Sequence, residues 1–499
     1  MSARGLVSLA ISGAVAAGLA GCELAPDYAP PDVAAPAAFK TALPAQGALD
    51  EAWWRTFGSA ELDRLEARLD AQSPAVAAAL ARYRRAEAIL DLSNSALYPS
   101  LGLSPSLSDN KQSDDRPLRS KGQPNYYGAN QLLGQFSWEV DLWGRVRDSV
   151  AAAKAEVQAN DDLLAAVRLS LHGGLARLYI ALRGADAQAA LLSRTIGLYR
   201  SALNLTQERL AGKISPPIDV ERAKVQLANV EAAAADIART RAVFENAIAA
   251  LIGESASTFH VAPAAVLPKT PRPPRAAPSD LLRRRPDVAA SERLLRAANE
   301  KIGIAKADFF PRLTLLLSGG TQDTGLDLTN LHNSLWSLGP SVSAPVFDGG
   351  QRQAALDAAR ADYEATAADY RTTVFAAFQE VEDARISILQ LGRERAALAV
   401  SATAARRALD MSMSLYRDGA ASSLDVVTAQ SAALDAERAE LVVGARLLQQ
   451  YVALNLALGG GWSGQKPAPE PSATPGLALL GPQGADPGPK AETGGEGKP

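Results

Sequence analysis

Two blocks of the sequence match each other in register, and this duplication limits the fold more than any other feature. Pro74 and Val76 correspond to Pro286 and Val288, and Tyr98-Pro99 to Phe310-Pro311, all 212 positions apart. Further along, the offset becomes 206: Val140 matches Val346, Gly144 matches Gly350, Asp219-Val220 matches Asp425-Val426, and Gly253 matches Gly459. The six-residue change falls inside a strand hairpin. Each half therefore reads helix, strand, loop, strand, long helix, turn, helix, and the fold must be built from two such units.

The strands are legible from period-two alternation. Leu132, Phe136, Trp138, Val140 and Leu142 share one parity, against Gln135, Ser137, Glu139 and Asp141. In the second half Trp336, Leu338, Val342, Ala344 and Val346 oppose Ser337, Gly339, Ser341 and Ser343, so that face carries only small or polar groups. The first strand of each half shows Leu101, Leu103 and Leu107, then Leu313, Leu315 and Leu317, in the same pattern. Four strands of about ten residues are the length that crosses a bilayer when tilted. Four strands cannot close a barrel, and open edges are not tolerated in lipid, so a membrane reading requires several chains to share one barrel. A soluble sandwich with a polar outer face satisfies the same alternation.

Helices account for most of the remaining length. No proline interrupts Gly144 to Leu210 or Gly350 to Tyr416, which permits nearly continuous helices of roughly 100 Å. Return helices are expected from Asp219 to Ile252 and Asp425 to Leu458, stopped by Gly253 and Gly459. The turns at Gly212–Pro217 and Asp418–Ser423 then lie at the far end from the strands. Aromatic residues make up only 5% of the chain, so closely packed, alanine-rich helices must supply the core, as at Ala151, Ala152, Ala153 and Ala155. Upstream, leucines at helical spacing between Glu61 and Leu92 predict two helices broken at Ser73-Pro74, preceded by a core plug of Trp53 and Trp54.

Chemistry is hard to place on this chain. A net charge of −3 gives no electrostatic reason to expect nucleic acid. His172, His260 and His332 lack ligand spacing, and no nucleophile-and-base pair or phosphate loop occurs, so no enzyme activity, metal or cofactor is expected. Arg283-Arg284-Arg285 reads as a source of ion pairs between helices or chains. The N-terminus carries an address: Arg4, an apolar run from Gly5 to Leu19, then Leu19-Ala20-Gly21-Cys22. This resembles a bacterial lipoprotein signal in which Cys22 becomes the acylated first residue, and Glu23, rather than Asp, favours the outer membrane.

The resulting division is an export signal over 1–21, a lipidated, extended and unpacked tether over 22–52, first-half helices over 53–97 and a first β-hairpin over 98–142, a membrane-barrel segment on the membrane reading. The long helices and first tip occupy 143–253, and a Pro-rich linker 254–279. A second-half helix over 280–309, a second β-hairpin over 310–347 of the same kind, the second pair of long helices over 348–462 and a disordered tail over 463–499 complete the chain.

The ordered motifs Asp280-Leu281-Leu282-Arg283-Arg284-Arg285-Pro286-Asp287-Val288, Phe309-Phe310-Pro311, Asp141-Leu142-Trp143-Gly144-Arg145 and Leu458-Gly459-Gly460-Gly461-Trp462 resemble the outer membrane factors (TolC/OprM-like) of tripartite efflux systems. They are most similar to the lipoprotein, NodT-type branch that works with resistance-nodulation-division (RND) pumps. The resemblance spans about Trp53 to Trp462. It implies a mainly α chain carrying a membrane β-barrel: a homotrimer whose twelve strands close one outer-membrane barrel above a periplasmic α-helical tunnel. A periplasmic adaptor and an inner-membrane pump are the implied partners, and multidrug efflux the implied role. It also implies a gate near the second tip, where Tyr416, Asp418 and Asp425 lie. The chain departs from one well-known relative in having Ala421 and Thr428 where that relative places a gate Arg and Asp. The alternative is a periplasmic helical-hairpin adaptor or structural lipoprotein, which has no use for four strands with apolar outer faces.

Overall fold

A computed structural model describes residues 24–44, 47, 49–115, 122 and 124–463. Cys22 and the tail beyond residue 463 lie outside them. Within this range the duplication is reproduced almost residue for residue. A short 3-10 turn (Trp53–Phe57) leads into α1 (Ala60–Gln72) and α2 (Pro74–Ser95), broken at Ser73-Pro74 as the sequence predicts. Pro74 occupies the first helical position, where its missing N–H costs nothing. Strands β1 (Ser100–Ser106), β2 (Asp109–Lys111), β3 (Tyr126–Gly128) and β4 (Asn130–Val140) follow, then α3 (Arg145–Ala211) and α4 (Pro217–Ile252).

The second half runs α5 (Leu281–Arg284), α6 (Pro286–Ala307), β5 (Arg312–Asp323), β6 (Ser334–Ser343), α7 (Gln351–Arg417) and α8 (Ser423–Ala457). Both long helices contain 67 residues and begin 206 positions apart. Each starts after a glycine in the left-handed region, Gly144 at φ 80° and Gly350 at φ 92°. The expected stop glycines are in place. Gly253 caps α4 at φ 95°, and Gly459 at φ 86° follows Leu458, the cap of α8.

Several expectations need correction. The helix placed at 280–309 is two helices, because Pro286 forces Arg285 into an extended conformation. The four long strands β1, β4, β5 and β6 range from seven to twelve residues, β4 stops at Val140 and β6 at Ser343, so Leu142, Ala344 and Val346 lie beyond the ladders. The extra length of the first hairpin is spent on the small β2/β3 ribbon. The N-terminal segment is extended but not a loose tether. Tyr28 and Val33 pack on Val288, Leu295, Tyr370 and Val374, and Arg385 donates to the Thr41 carbonyl at 2.9 Å. At Gly303 an added Cβ would approach the Ala25 backbone to 2.8 Å, so that glycine gives the segment its seat on α6.

The core sits at mid-height along the long helices. Trp53 and Phe57 plug a cluster formed by Leu62, Leu65 and Leu69 of α1, Leu175 and Ile180 of α3, Ile248 and Ile252 of α4, and Val452 and Leu454 of α8. The linker after α4 is stapled to this region by a buried polar network. Arg183 donates to Asp186 (2.9 Å) and the Ala262 carbonyl (2.7 Å), while Arg241 donates to the other Asp186 oxygen (2.7 Å). Such buried charges are held because each is paired and hydrogen-bonded.

Candidate functional site

The four principal strands form one antiparallel sheet in the order β1-β4-β5-β6. Its register converts the sequence alternation into rows. Leu101, Phe136, Leu317 and Leu338 lie side by side, as do Val140, Leu313 and Val342, and Trp138, Leu315 and Pro340. Neighbours across a ladder project to the same face, so these rows make one continuous apolar surface. The opposite face carries Gly102, Gln135, Ser318 and Ser337, then Glu139, Thr314 and Ser341. It is not purely small and polar: Leu133, Leu316 and Leu335 have the same parity. Leu101 is 81% exposed and Trp336 76%, large apolar groups that none of the described residues covers.

Below the sheet, each down-strand turns into a long helix through a charged elbow. The Asp141 carboxylate accepts from the amides of Val146 (3.2 Å) and Arg147 (2.9 Å), and Asp348 from those of Gly350 (3.0 Å) and Arg352 (3.2 Å). Both carboxylates thus satisfy otherwise unpaired donors of a helix N-terminus and oppose its positive dipole end. Trp143 stacks on Phe310 at 4.7 Å and donates to the Pro311 carbonyl at 2.8 Å, pinning the two halves together at the strand bases.

At the other end, α3 and α7 finish in the same turn. Ile214 donates its amide to the Arg209 carbonyl and Ala420 donates to that of Leu415, both at 2.8 Å. The left-handed position between them is Lys213 (φ 58°) in one tip and Gly419 (φ 77°) in the other, 206 residues apart. The tips touch through Tyr416, which is only 3% exposed. Arg209 donates to the Tyr416 carbonyl at 2.6 Å and lies over its ring, 4.6 Å from the centroid, a cation–π geometry. The Tyr416 hydroxyl is 3.4 Å from that of Thr206. Asp418 caps α7 and is exposed. Asp425 forms a reciprocal cap with Ser422, accepting from its amide at 2.9 Å and its hydroxyl at 2.7 Å. The Ser422 hydroxyl, and then its amide, hold the Asp425 carboxyl below the usual carboxylate range.

This arrangement, an unclosed two-faced sheet above two long helical hairpins, has clear relatives. The family model for outer membrane efflux proteins matches residues 67–254 and 277–460. The chain belongs to the outer membrane efflux protein family. It is 30% identical to the outer membrane protein OprJ of Pseudomonas aeruginosa over 90% of this chain and 95% of OprJ. It is 28% identical to nodulation protein T of Rhizobium leguminosarum bv. trifolii, over 89% and 96% of the two chains. The solved structure of the outer-membrane channel OprN superposes with a TM-score of 0.82 at 28% identity, covering 89% of this chain and all of that one. The protein is accordingly an outer-membrane channel component of an efflux system, and its family consists of transport proteins.

Within that family frame, the residues singled out from sequence separate into groups. Tyr416, Asp418 and Asp425 are brought to one tip, Tyr416 packed and the two aspartates exposed at the ends of α7 and α8. Arg285 bridges elements: it donates to Asp287 at 2.6 Å, to Glu380 of α7 at 2.6 Å and to the Ala457 carbonyl at the end of α8 at 3.2 Å. His172 is bracketed by Glu66 (2.6 Å) and Asp70 (3.2 Å) beneath the Trp54 ring, an α1–α3 joint. Sequence reading missed Arg209 and Thr206. Their repeat partners are Leu415 and Ser412, so the duplication gave them no emphasis. The available signal was a basic side chain in the last turn of α3, where the helix dipole favours it.

Proposed function

We propose that three copies of this chain form one passive exit duct, with twelve strands closing a barrel in the outer membrane and the helical hairpins forming a tunnel into the periplasm. A periplasmic adaptor and an inner-membrane pump of the RND type deliver the cargo, and the duct performs no chemistry of its own. One observation carries this reading: the apolar face reaches across all four strands, along the row of Leu101, Phe136, Leu317 and Leu338, while among the described residues both outer edges are unpaired. Lipid can cover such a face, and only other strands can satisfy such edges. A soluble periplasmic adaptor would have to leave the same rows in water, which favours the channel over that alternative.

Cys22 is then the lipidated first residue of the mature chain. Mass spectrometry of the N-terminal peptide should find an acylated Cys22, and an unmodified start at another residue would refute the anchor.

The gate is the tip at which Tyr416, Asp418 and Asp425 meet. Around a threefold axis the carboxylates of three copies would face one another, repelling unless cations or arginines intervene. Arg209 holds Tyr416 in place, and Ser422 keeps Asp425 ionised. Asp425→Ala combined with Tyr416→Phe should raise single-channel conductance in planar bilayers several-fold and sensitise cells to large antibiotics. An intact assembly with unchanged conductance and sensitivity would place the gate elsewhere, and protein that never conducts would overturn the duct itself.

A further inference from the structure

The two open edges of the sheet carry enough information to fix how one copy meets the next. Every ladder keeps a constant register, and the β1/β4 register extends past the strand ends. There the Ala129 amide donates to the Ser108 carbonyl (2.7 Å) and the Gln112 amide to the Asn125 carbonyl (2.8 Å). Even-numbered residues of β1 therefore bond inward to β4. A strand residue points its N–H and C=O to the same side, and sides alternate along the chain. Carried through the registers of β4, β5 and β6, this leaves the even-numbered residues of β6 facing outward. The free backbone groups are those of Leu101, Leu103 and Pro105 on one edge, and of Trp336, Leu338, Pro340 and Val342 on the other. Both prolines sit where a missing N–H interrupts no ladder within the chain.

We propose that β6 of one copy pairs antiparallel with β1 of the next copy in a single register, with Leu101 opposite Val342, Leu103 opposite Pro340 and Pro105 opposite Leu338. This rests on the shared-barrel reading above and adds the residues that make the seam. Three constraints select it. Apolar faces must continue across the seam, so odd positions of β1 meet even positions of β6. In this register all seven residues of β1 find partners within β6, ending flush at Ser100 opposite Ser343.

The third constraint is closure. The row through Leu101, Phe136, Leu317 and Leu338 returns to β1 of the next copy at Pro105, four residues higher, hence a stagger of twelve around three copies. With about 3.3 Å per residue and about 4.8 Å between strands, that stagger tilts the strands by roughly 35°, inside the usual range for barrels. Sliding β6 two residues one way drops the tilt to about 20°, outside that range. Sliding it two residues the other way sets Pro105 against Pro340, erasing one rung with two carbonyls facing each other in lipid, and leaves Ser100 and Leu101 beyond the end of β6. In the proposed register each rung with a proline keeps one bond, from the Leu103 amide to Pro340 and from the Leu338 amide to Pro105.

Disulfide trapping in the full-length protein tests this directly, because non-hydrogen-bonded antiparallel pairs have the Cα separation a disulfide needs. Ser106→Cys is combined in turn with Leu335→Cys, Ser337→Cys and Gly339→Cys, with each single variant as control. The proposal predicts oxidation to covalently linked chains for Ser106→Cys with Ser337→Cys, at least tenfold above the other two pairs. Preferential linking to position 335 or 339 overturns the register while leaving the shared barrel standing. No linking by any pair, in protein whose mass is that of three chains, overturns the β1–β6 seam. Protein with the mass of one chain overturns the seam and the shared barrel together.

Discussion

Glu66 shows how a single residue in the core ties folding to pH. Its side chain is fully buried, and burial pushes its carboxyl up to about 7, against the pull of the His172 hydrogen bond. A folded-state pKa raised above the unfolded value near 4.5 means the fold favours the protonated acid. This contribution is fully present below about pH 4.5 and is lost as pH rises through about 7, a swing of up to ~3 kcal/mol. Denaturant midpoints should therefore fall more steeply between pH 5 and pH 8 for the natural protein than for Glu66→Gln. Equal slopes would assign the pH dependence to other groups.

Elements of this protein obey the duplication more strictly than their side chains do, and the tips are the clearest case. Both long helices end in one hydrogen-bond pattern, yet the left-handed residue is Gly419 in one and Lys213 in the other. A Cβ in that conformation costs about 1–2 kcal/mol. Lys213→Gly should raise stability by roughly 1 kcal/mol, less the backbone entropy a glycine loses, with no change in conductance. A loss of stability would mean that the Lys213 side chain holds the tip.

The long helices, their stop glycines and the break at Ser73-Pro74 were legible because each is set by local chemistry: spacing, a missing N–H, a left-handed turn. The strand faces were legible through parity. What stayed hidden depends on neighbours distant in sequence. The packing of the N-terminal segment on α6 and α7, the Arg183–Asp186–Arg241 staple and the Arg209–Tyr416 contact join residues up to hundreds of positions apart. The leucines at 133, 316 and 335 break the polar face, and no alternation rule anticipates them. Arg285 lay between the two cases: its motif marked it, but only the fold reveals that it joins α6 to α7 and α8.

At the scale of the whole molecule, one chain supplies a third of a wall. The sheet has two unpaired edges and an apolar face rising from Val140 to Trp336, and a single copy cannot satisfy either in a bilayer. The most direct test is the mass of the detergent-solubilised protein by light scattering with the detergent contribution subtracted. The protein should behave as one species of about three times the chain, which is 52.2 kDa before any signal is removed. A monodisperse single chain that retains its full β content would contradict it.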